Sequence, residues 1–277
     1  MGARILEMNF SRSKQKAFTL IELLVVISII ALLSSIVMST LGASRTKAKS
    51  AAARKFAAIV DRTAGDMFLT RWDFNECSGT SVSDNSGYSY TGTVNSAMWS
   101  SVTIPYTGAG CSLFFDNVDD FMDTGYAAGD QSNWTMAGWV YDTKANNGYR
   151  AIIQTNVASD DALYIYPGNY LGYWPCNASP STASFPSNEW VFVTAVYDSS
   201  TGFKYYLNGV QKGTAGTCAD ASDWDFLRLG GWGAGDGERW GGYMDNIHIF
   251  NKTLTASEVG RLYAYESIRF DPVAKAR

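Results

Sequence analysis

Residues 18–41 read FTLIELLVVISIIALLSSIVMSTL, 24 residues in which Glu22 is the single charge. A helix rises about 1.5 Å per residue, so this stretch would extend roughly 36 Å, enough to cross a hydrocarbon core with some tilt. Its surface is apolar all the way round, where a helix lying on a soluble core would keep a polar face. It is longer than the apolar part of a usual signal peptide, and no small-x-small cleavage pattern with a polar start follows it. Glu22 stands five residues into the run. A carboxylate inside hydrocarbon costs about 3 kcal/mol on insertion scales, so its presence there points to a partner.

Charge divides the chain into three parts. Residues 1–17 carry Arg4, Arg12, Lys14 and Lys16 against Glu7, a net of +3. Residues 18–65 carry a net of +4, whereas 66–277 hold 12 basic and 23 acidic residues, a net of −11. All six prolines, nine tryptophans and four cysteines fall in the third part, and one His serves the whole chain. That single imidazole excludes multi-His zinc sites, and the acidic balance disfavours a nucleic-acid binder. Past residue 41, Ala48, Ala52, Phe56 and Ile59 recur at helical spacing, with Lys47, Arg54, Lys55, Asp61 and Arg62 on the other side. One helix is therefore expected from Phe18 to about Ala64, with Gly65 as its stop, a rod of roughly 70 Å.

KQKAFTLIELLVVISIIALL resembles the prepilin N-terminus of type IV pilins and type II secretion pseudopilins. The resemblance implies a leader at 1–17, cleavage by a prepilin peptidase between Ala17 and Phe18, and N-methylation of Phe18. Glu22 becomes the fifth mature residue, meeting the Phe18 ammonium of a neighbouring subunit during filament assembly. Such a pair, otherwise alone in apolar surroundings, would set register more than stability. Two departures stand out: Ala17 where the family usually has Gly, and Ser39 where many members have a helix-kinking proline. The basic residues after the span (Arg45, Lys47, Lys49, Arg54, Lys55) outweigh the leader and by themselves favour an outside N-terminus. The leader must nevertheless meet its peptidase in the cytoplasm. The expectation is thus a protein of the cytoplasmic membrane that passes into a surface filament of like subunits, its C-terminal part outside.

After Gly65 the helical period gives way to short runs rich in Val, Ile, Tyr, Phe and Trp: MFLTRWDF, CSLFFD, WTMAGWVYD, RAIIQT, ALYIY, WVFVTAVYD, FKYYLN, FLRLGG and YMDNIHIF. Gly, Asn, Asp and Ser clusters separate them, which indicates an antiparallel sandwich or barrel. Asp198–Gly202 and Asn208-Gly209 are turn formers that fix a hairpin register. The strand from Trp190 lacks strict alternation and should be buried on both faces; Trp72, Trp139 and Trp190 read as core. LTASEVGRLYAY is a short terminal helix capped by Thr255 or Ser257, with Leu262 and Tyr265 on it. CSLFFDNVDDFMDTG, WVFVTAVYDSSTGFKYYLNGVQKG and GGYMDNIHIFNKTLTASEVGRLYAY resemble blocks of the laminin-G-like, concanavalin-type jelly roll, with Asn117 where Gly is commoner. The fold expected is a long hydrophobic-to-amphipathic α-helix followed by an all-β antiparallel jelly-roll sandwich over 66–277.

Cys77, Cys111, Cys176 and Cys218 allow three pairings and contain no CxxC. An even count in a part placed outside the cytoplasm reads as two bridges, and position along the strands favours 77–111 with 176–218. No strand carries the paired acids of a glycosidase, and His248 among apolar neighbours reads as a strand residue; no enzyme is expected. No cofactor is required, though jelly rolls of this type often hold structural calcium, here through Asp73 or Glu76 with Asp245. Exposed Trp174, Trp232 and Trp240, beside Asn and Asp, are candidates for stacking on a polysaccharide or glycoprotein. An anchored binding protein that never polymerises is the competing class. N-terminal mass spectrometry of protein from its native membrane should find N-methyl-Phe18; an intact Met1 start, or cleavage beyond Leu41, would defeat the pilin reading.

Overall fold

The computed structural model describes residues 20–34, 51, 68–104, 110–126, 129, 131–143, 148–155, 161–176, 184–217, 224–231 and 238–269. The chain divides into two compact units, Met1–Ala48 and Lys49–Arg277. In the first, residues 20–34 form helix α1, which exposes its Leu, Ile and Val side chains and Glu22. Among the described residues no helix is long and apolar enough to cross a membrane. Ala17 and Phe18 lie outside the described residues, as does most of the expected helix beyond 34; residue 51 is helical.

The second unit is built from strands β1 (Phe68–Trp72), β2 (Ser81–Val82), β3 (Gly92–Asn95), β4 (Met98–Ser100), β5 (Ser112–Asp116), β6 (Phe121–Asp123), β7 (Asn133–Asp142) and β8 (Arg150–Gln154). There follow β9 (Ala162–Tyr166), β10 (Tyr170–Trp174), β11 (Trp190–Asp198), β12 (Gly202–Leu207), β13 (Val210–Ala215), β14 (Arg228–Leu229), β15 (Gly241–Phe250) and helix α2 (Ala256–Arg269). They form two antiparallel sheets. One runs β13-β12-β11-β7-β15-β5-β4, with β1 also on β15; the other runs β10-β9-β8-β14-β6-β3-β2. Every expected apolar run forms a strand. The runs missed are short (β2, β3, β4), interrupted by Gly172 (β10), or an exposed edge without alternation (β13).

Side-chain alternation sorts β11 between two clusters. Val191, Val193, Ala195 and Tyr197 enter the core between the sheets, around Trp72 and Trp134. Phe192 and Val196 point the other way and pack with Trp139, Leu254, Val259 and Leu262, so α2 covers the outer face of the eight-stranded sheet. This explains the two-sided burial read from the sequence; Trp190 sits partly buried beside that second cluster. Thr255 is the cap of α2: its Oγ1 accepts from the Glu258 N–H at 3.3 Å, while Glu258 Oε2 accepts from the Thr255 N–H at 2.8 Å. His248 Nε2 lies 3.3 Å from Glu266 Oε1, a buried pair tying β15 to α2.

Turn chemistry sets the hairpins. Asp198 Oδ1 accepts from the N–H groups of Ser200 and Thr201, opposite Gly202, where a Cβ would meet the Ala215 carbonyl at 2.3 Å. Asn208 and Gly209 take φ of 50° and 74°, the paired positive values of a two-residue hairpin turn. Cys77 and Cys111 form a disulfide with their Cα atoms 5.4 Å apart. Cys176 is also disulfide-bonded; Cys218, its expected partner, lies outside the described residues.

Further charged groups are buried. Arg150 Nη2 lies 3.1 Å from Asp142 Oδ2, with neither side chain exposed. The same guanidinium donates to Asn169 Oδ1 at 2.7 Å and to the Gly148 carbonyl at 3.0 Å, and Ser187 Oγ donates to Asp142 at 3.2 Å. In the β5–β6 turn, the Asp116 N–H donates to Asp120 Oδ2 at 2.6 Å. Burial pushes the Asp120 carboxyl up to about 6; the Asp116 N–H opposes the rise, and the charges of Asp116 and Asp119 add to it.

Arg150→Met removes the buried Asp142 carboxylate's ion-pair partner and should cost about 3–5 kcal/mol in denaturant unfolding. Adding Asp142→Leu should recover most of that loss, because the pair is then replaced by apolar packing. Two losses that simply add would show that the groups act independently. Asp120 gives a pH signature. Between its ordinary value of 3.8 and about 6, the folded chain holds a proton the unfolded chain has released. Stability should therefore fall as pH rises through that window and stay level above it. Thermal melts should show Asp120→Asn gaining on the parent protein across the same interval.

Candidate functional site

In an antiparallel sheet, residues paired across strands share a face. Trp174 pairs with Ala162, Ala162 with Gln154, Gln154 with Arg228 and Arg228 with Asp123, giving one row across the seven-stranded sheet. Gly172, Tyr164 and Ala151 form a parallel row. Leu163, Ile165, Leu171 and Tyr173 belong to the inter-sheet core. The alternating residues Ala151, Ala162, Tyr164 and Tyr166 form a separate outer cluster against which Tyr149 and Trp174 pack.

On this outer face Tyr149, Tyr164, Trp174 and Glu238 line a cavity of about 180 Å³. Tyr164 donates its hydroxyl to Glu238 Oε2 at 2.8 Å. Glu238 is placed by its own backbone, since its carbonyl accepts from the Ala151 N–H at 3.2 Å. That approach needs Gly231, at a φ of 92°, where a Cβ would stand 2.9 Å from the Glu238 carbonyl oxygen. The tyrosine rings stand steeply to one another: Tyr149 and Tyr164 at 77° with centroids 5.8 Å apart, Tyr149 and Tyr166 at 62° and 5.3 Å. Among the described residues the buried Tyr166 hydroxyl has no hydrogen-bond partner. Burial raises its pKa, with Tyr149 and Glu238 as the charges it feels. The arrangement offers aromatic walls, one carboxylate acceptor and a cavity too small for more than one sugar ring or a substituent.

Of the expected sugar-stacking residues, Trp174 lines this cavity, and Trp232 lies outside the described residues. Trp240 is a correction. It is fully buried within the inter-sheet core and has no face to offer a ligand. The glycines around it let the chain approach closely: the Trp240 N–H donates to the Gly230 carbonyl at 3.0 Å. Tyr149, Tyr164 and Glu238 were not expected. The signal was present in ALYIY, whose tyrosines alternate with Leu163 and Ile165 and so share the face opposite the core.

The acids expected to hold calcium lie just after β1 (Asp73, Glu76) and within β15 (Asp245), strands that pair with each other. Asp73 is engaged by Arg71 at 3.0 Å, Glu76 accepts from the Ser83 N–H at 2.9 Å, and Asp245 is buried in β15. Among the described residues, Asp116, Asp119 and Asp120 form a group of three acids with oxygens within 4.8 Å of one another.

Comparison with known proteins accords with this geometry. The prokaryotic N-terminal methylation motif matches residues 12–38. No curated protein shows significant sequence similarity to the chain. Among solved structures, Trypanosoma rangeli sialidase in complex with sialic acid is similar at a TM-score of 0.55 and 15% identity, over 72% of this chain and 33% of the sialidase. This chain thus spans about a third of that protein's length. Domain 4 of an extracellular arabinanase from Geobacillus stearothermophilus, in complex with arabinotriose, gives 0.55 and 16%, over 71% of this chain and 98% of the domain. The binding domain of botulinum neurotoxin serotype D gives 0.53 and 16%, over 72% and 52%. At these identities the likeness is one of fold. The family model of the concanavalin A-like lectin/glucanases superfamily matches residues 117–260, more than half of the sequence, and the chain belongs to that superfamily, carried behind a prepilin-type methylation segment.

Proposed function

We propose that this chain is a pilin-like subunit that presents a carbohydrate-contacting sandwich outside the cytoplasm, for adhesion rather than catalysis. The methylation motif supports the first half. It implies processing by a prepilin peptidase between Ala17 and Phe18, anchoring in the cytoplasmic membrane, and assembly with other subunits through Phe18 and Glu22. The observation that carries the second half is the cavity walled by Tyr149, Tyr164 and Trp174 around Glu238. Aromatic faces with one hydrogen-bonding carboxylate suit a sugar, and sialic acid and arabinotriose are the molecules bound in two proteins of like fold. Hydrolysis of a glycosidic bond ordinarily uses two carboxyl groups, whereas the described lining holds one. The acidic balance of 66–277 speaks against nucleic acid as the ligand.

The full chain, purified in detergent, should be retained on immobilised polysaccharides, with Trp174→Ala weakening retention about tenfold, or about 1.4 kcal/mol. Retention unchanged by Trp174→Ala would remove this cavity from the reading. The same chain in its native cells should appear in the sheared filament fraction, with Glu22→Ala reducing it. Its absence from that fraction while still membrane-bound and sugar-binding would favour the anchored protein that does not polymerise.

A further inference from the structure

Between β2 and β3 the chain runs through SDNSGYSYT, a loop that carries two tyrosines and is held by one carboxylate. Asp84 Oδ1 accepts from the N–H groups of Arg71 and Ser86, both at 2.9 Å. Its Oδ2 accepts from the Ser86 hydroxyl at 2.7 Å and the Tyr90 N–H at 3.0 Å. The loop is thereby fastened to β1 and closed on itself. The Asn85 N–H adds a bond to the Arg71 carbonyl at 2.7 Å, and the Trp72 indole N–H donates to the Tyr90 carbonyl at 3.0 Å. Ser89, between the tyrosines, takes a φ of 64°, a left-handed conformation that glycine adopts at lower cost.

These bonds set two rings. Tyr88 and Tyr90 lie nearly parallel, 16° apart with centroids at 6.3 Å. Tyr90 is braced from behind by a column of aromatics that reaches the inter-sheet core. Its ring meets Tyr126 at 5.2 Å, Tyr126 meets Trp224 at 6.0 Å, and Trp224 meets Trp134 at 5.2 Å. Among the described residues Tyr88 meets no ring but that of Tyr90, and it is 48% exposed, with Gly87 and Ser89 exposed on either side. A half-exposed tyrosine on a loose loop needs no explanation. One on a loop fastened this firmly has already given up the freedom that binding would otherwise cost.

The ring decides what fits. An aromatic face is apolar and weakly negative. A pyranose with all its substituents equatorial turns a face of C–H groups to it, while its rim of hydroxyls stays free for water, for Ser89 and for the Tyr88 hydroxyl. An axial hydroxyl would press a polar group against the ring without a partner. A carboxylated sugar would meet the acidic balance of the domain, −11 over 66–277. β2 and β3 stand at the edge of the seven-stranded sheet opposite β10, which carries Trp174, so this surface is separate from the cavity.

We propose that the Tyr88 ring, backed by Tyr90, is a second glycan contact, a platform for a neutral β-linked pyranose with equatorial substituents, as in a β-glucan. This rests on the carbohydrate reading above and adds a site to it. Two contacts on one domain hold a polymer more firmly than either alone, because the second forms at the effective concentration set by the first.

The test uses the full chain in detergent, titrated calorimetrically with β-1,4-linked hexamers of glucose and of mannose, the second having an axial 2-hydroxyl. The glucose hexamer should bind about threefold or more tightly than the mannose hexamer. Tyr88→Ala should weaken the glucose hexamer about three- to tenfold, in the parent and in the Trp174→Ala background alike. Tyr88→Phe, which keeps the ring, should stay within about twofold of the parent, and neither variant should move the thermal midpoint. Unchanged binding by Tyr88→Ala while Trp174→Ala weakens it would overturn the platform and leave the carbohydrate reading standing. Tyr88→Phe as weak as Tyr88→Ala would overturn stacking, since the hydroxyl would then be the contact. A mannose or glucosamine hexamer bound as tightly as glucose would overturn the sugar class. A sheared filament fraction depleted by Tyr88→Ala, with glycan binding unchanged, would make the loop a subunit contact and overturn the proposal. Retention on immobilised polysaccharides with no hexamer bound would overturn the β-glucan assignment alone, whereas failure of every glycan would overturn it together with the carbohydrate reading.

Discussion

The ion pair between Asp142 and Arg150 stands where the chain leaves one sheet and enters the other. Asp142 is the last residue of β7 and Arg150 the first of β8, and neither side chain is exposed. Removing two charges from water costs several kcal/mol per ion, and the further bonds made by both partners offset part of that cost. Those bonds reach outward: Arg150 to Asn169 in the β9–β10 turn and to Gly148, Asp142 to Ser187 before β11. One buried contact thereby fixes the start of β8, the adjoining Tyr149 and the turn that delivers β10 with Trp174. The candidate site inherits its geometry from this junction, although no charged member of the pair lines it.

Each sheet has two faces and both must be accounted for. The inner faces bury Trp72, Trp134 and their neighbours against each other. The outer face of the eight-stranded sheet is closed by α2 through Leu254, Val259 and Leu262. The outer face of the seven-stranded sheet is treated differently, with Tyr164 and Tyr166 standing among small alanines. Large aromatics beside small residues leave a recess, and the backbone of Glu238, brought in over Gly231, closes one side of it with a carboxylate. The candidate site and the inter-sheet core thus lie on opposite faces of the same strands, β8 to β10.

Much of the molecule was legible from the chain alone. The apolar run with Glu22, the prepilin-like segment around it, the strand runs, the 77–111 bridge, the Thr255 cap and the two-sided burial of β11 all follow from local pattern. The short strands β2, β3 and β4 escaped because runs of two to four residues carry too little periodicity to read. Trp240 was misplaced because the neighbouring glycines permit a close backbone approach that no local pattern reveals.

What the sequence by itself determined was therefore class and order: a charged-and-apolar N-terminal segment, then an antiparallel sandwich closed by a capped helix. Hydrophobic period, turn residues and caps act between near neighbours, and a linear reading contains them. Which side chains converge was decided only in three dimensions. Tyr149, Tyr164, Trp174 and Glu238 are spread over 90 positions of the chain, and what gathers them is strand register plus one glycine-permitted backbone contact. No local period encodes register between strands that are far apart in sequence; it is set by the packing of the whole sheet.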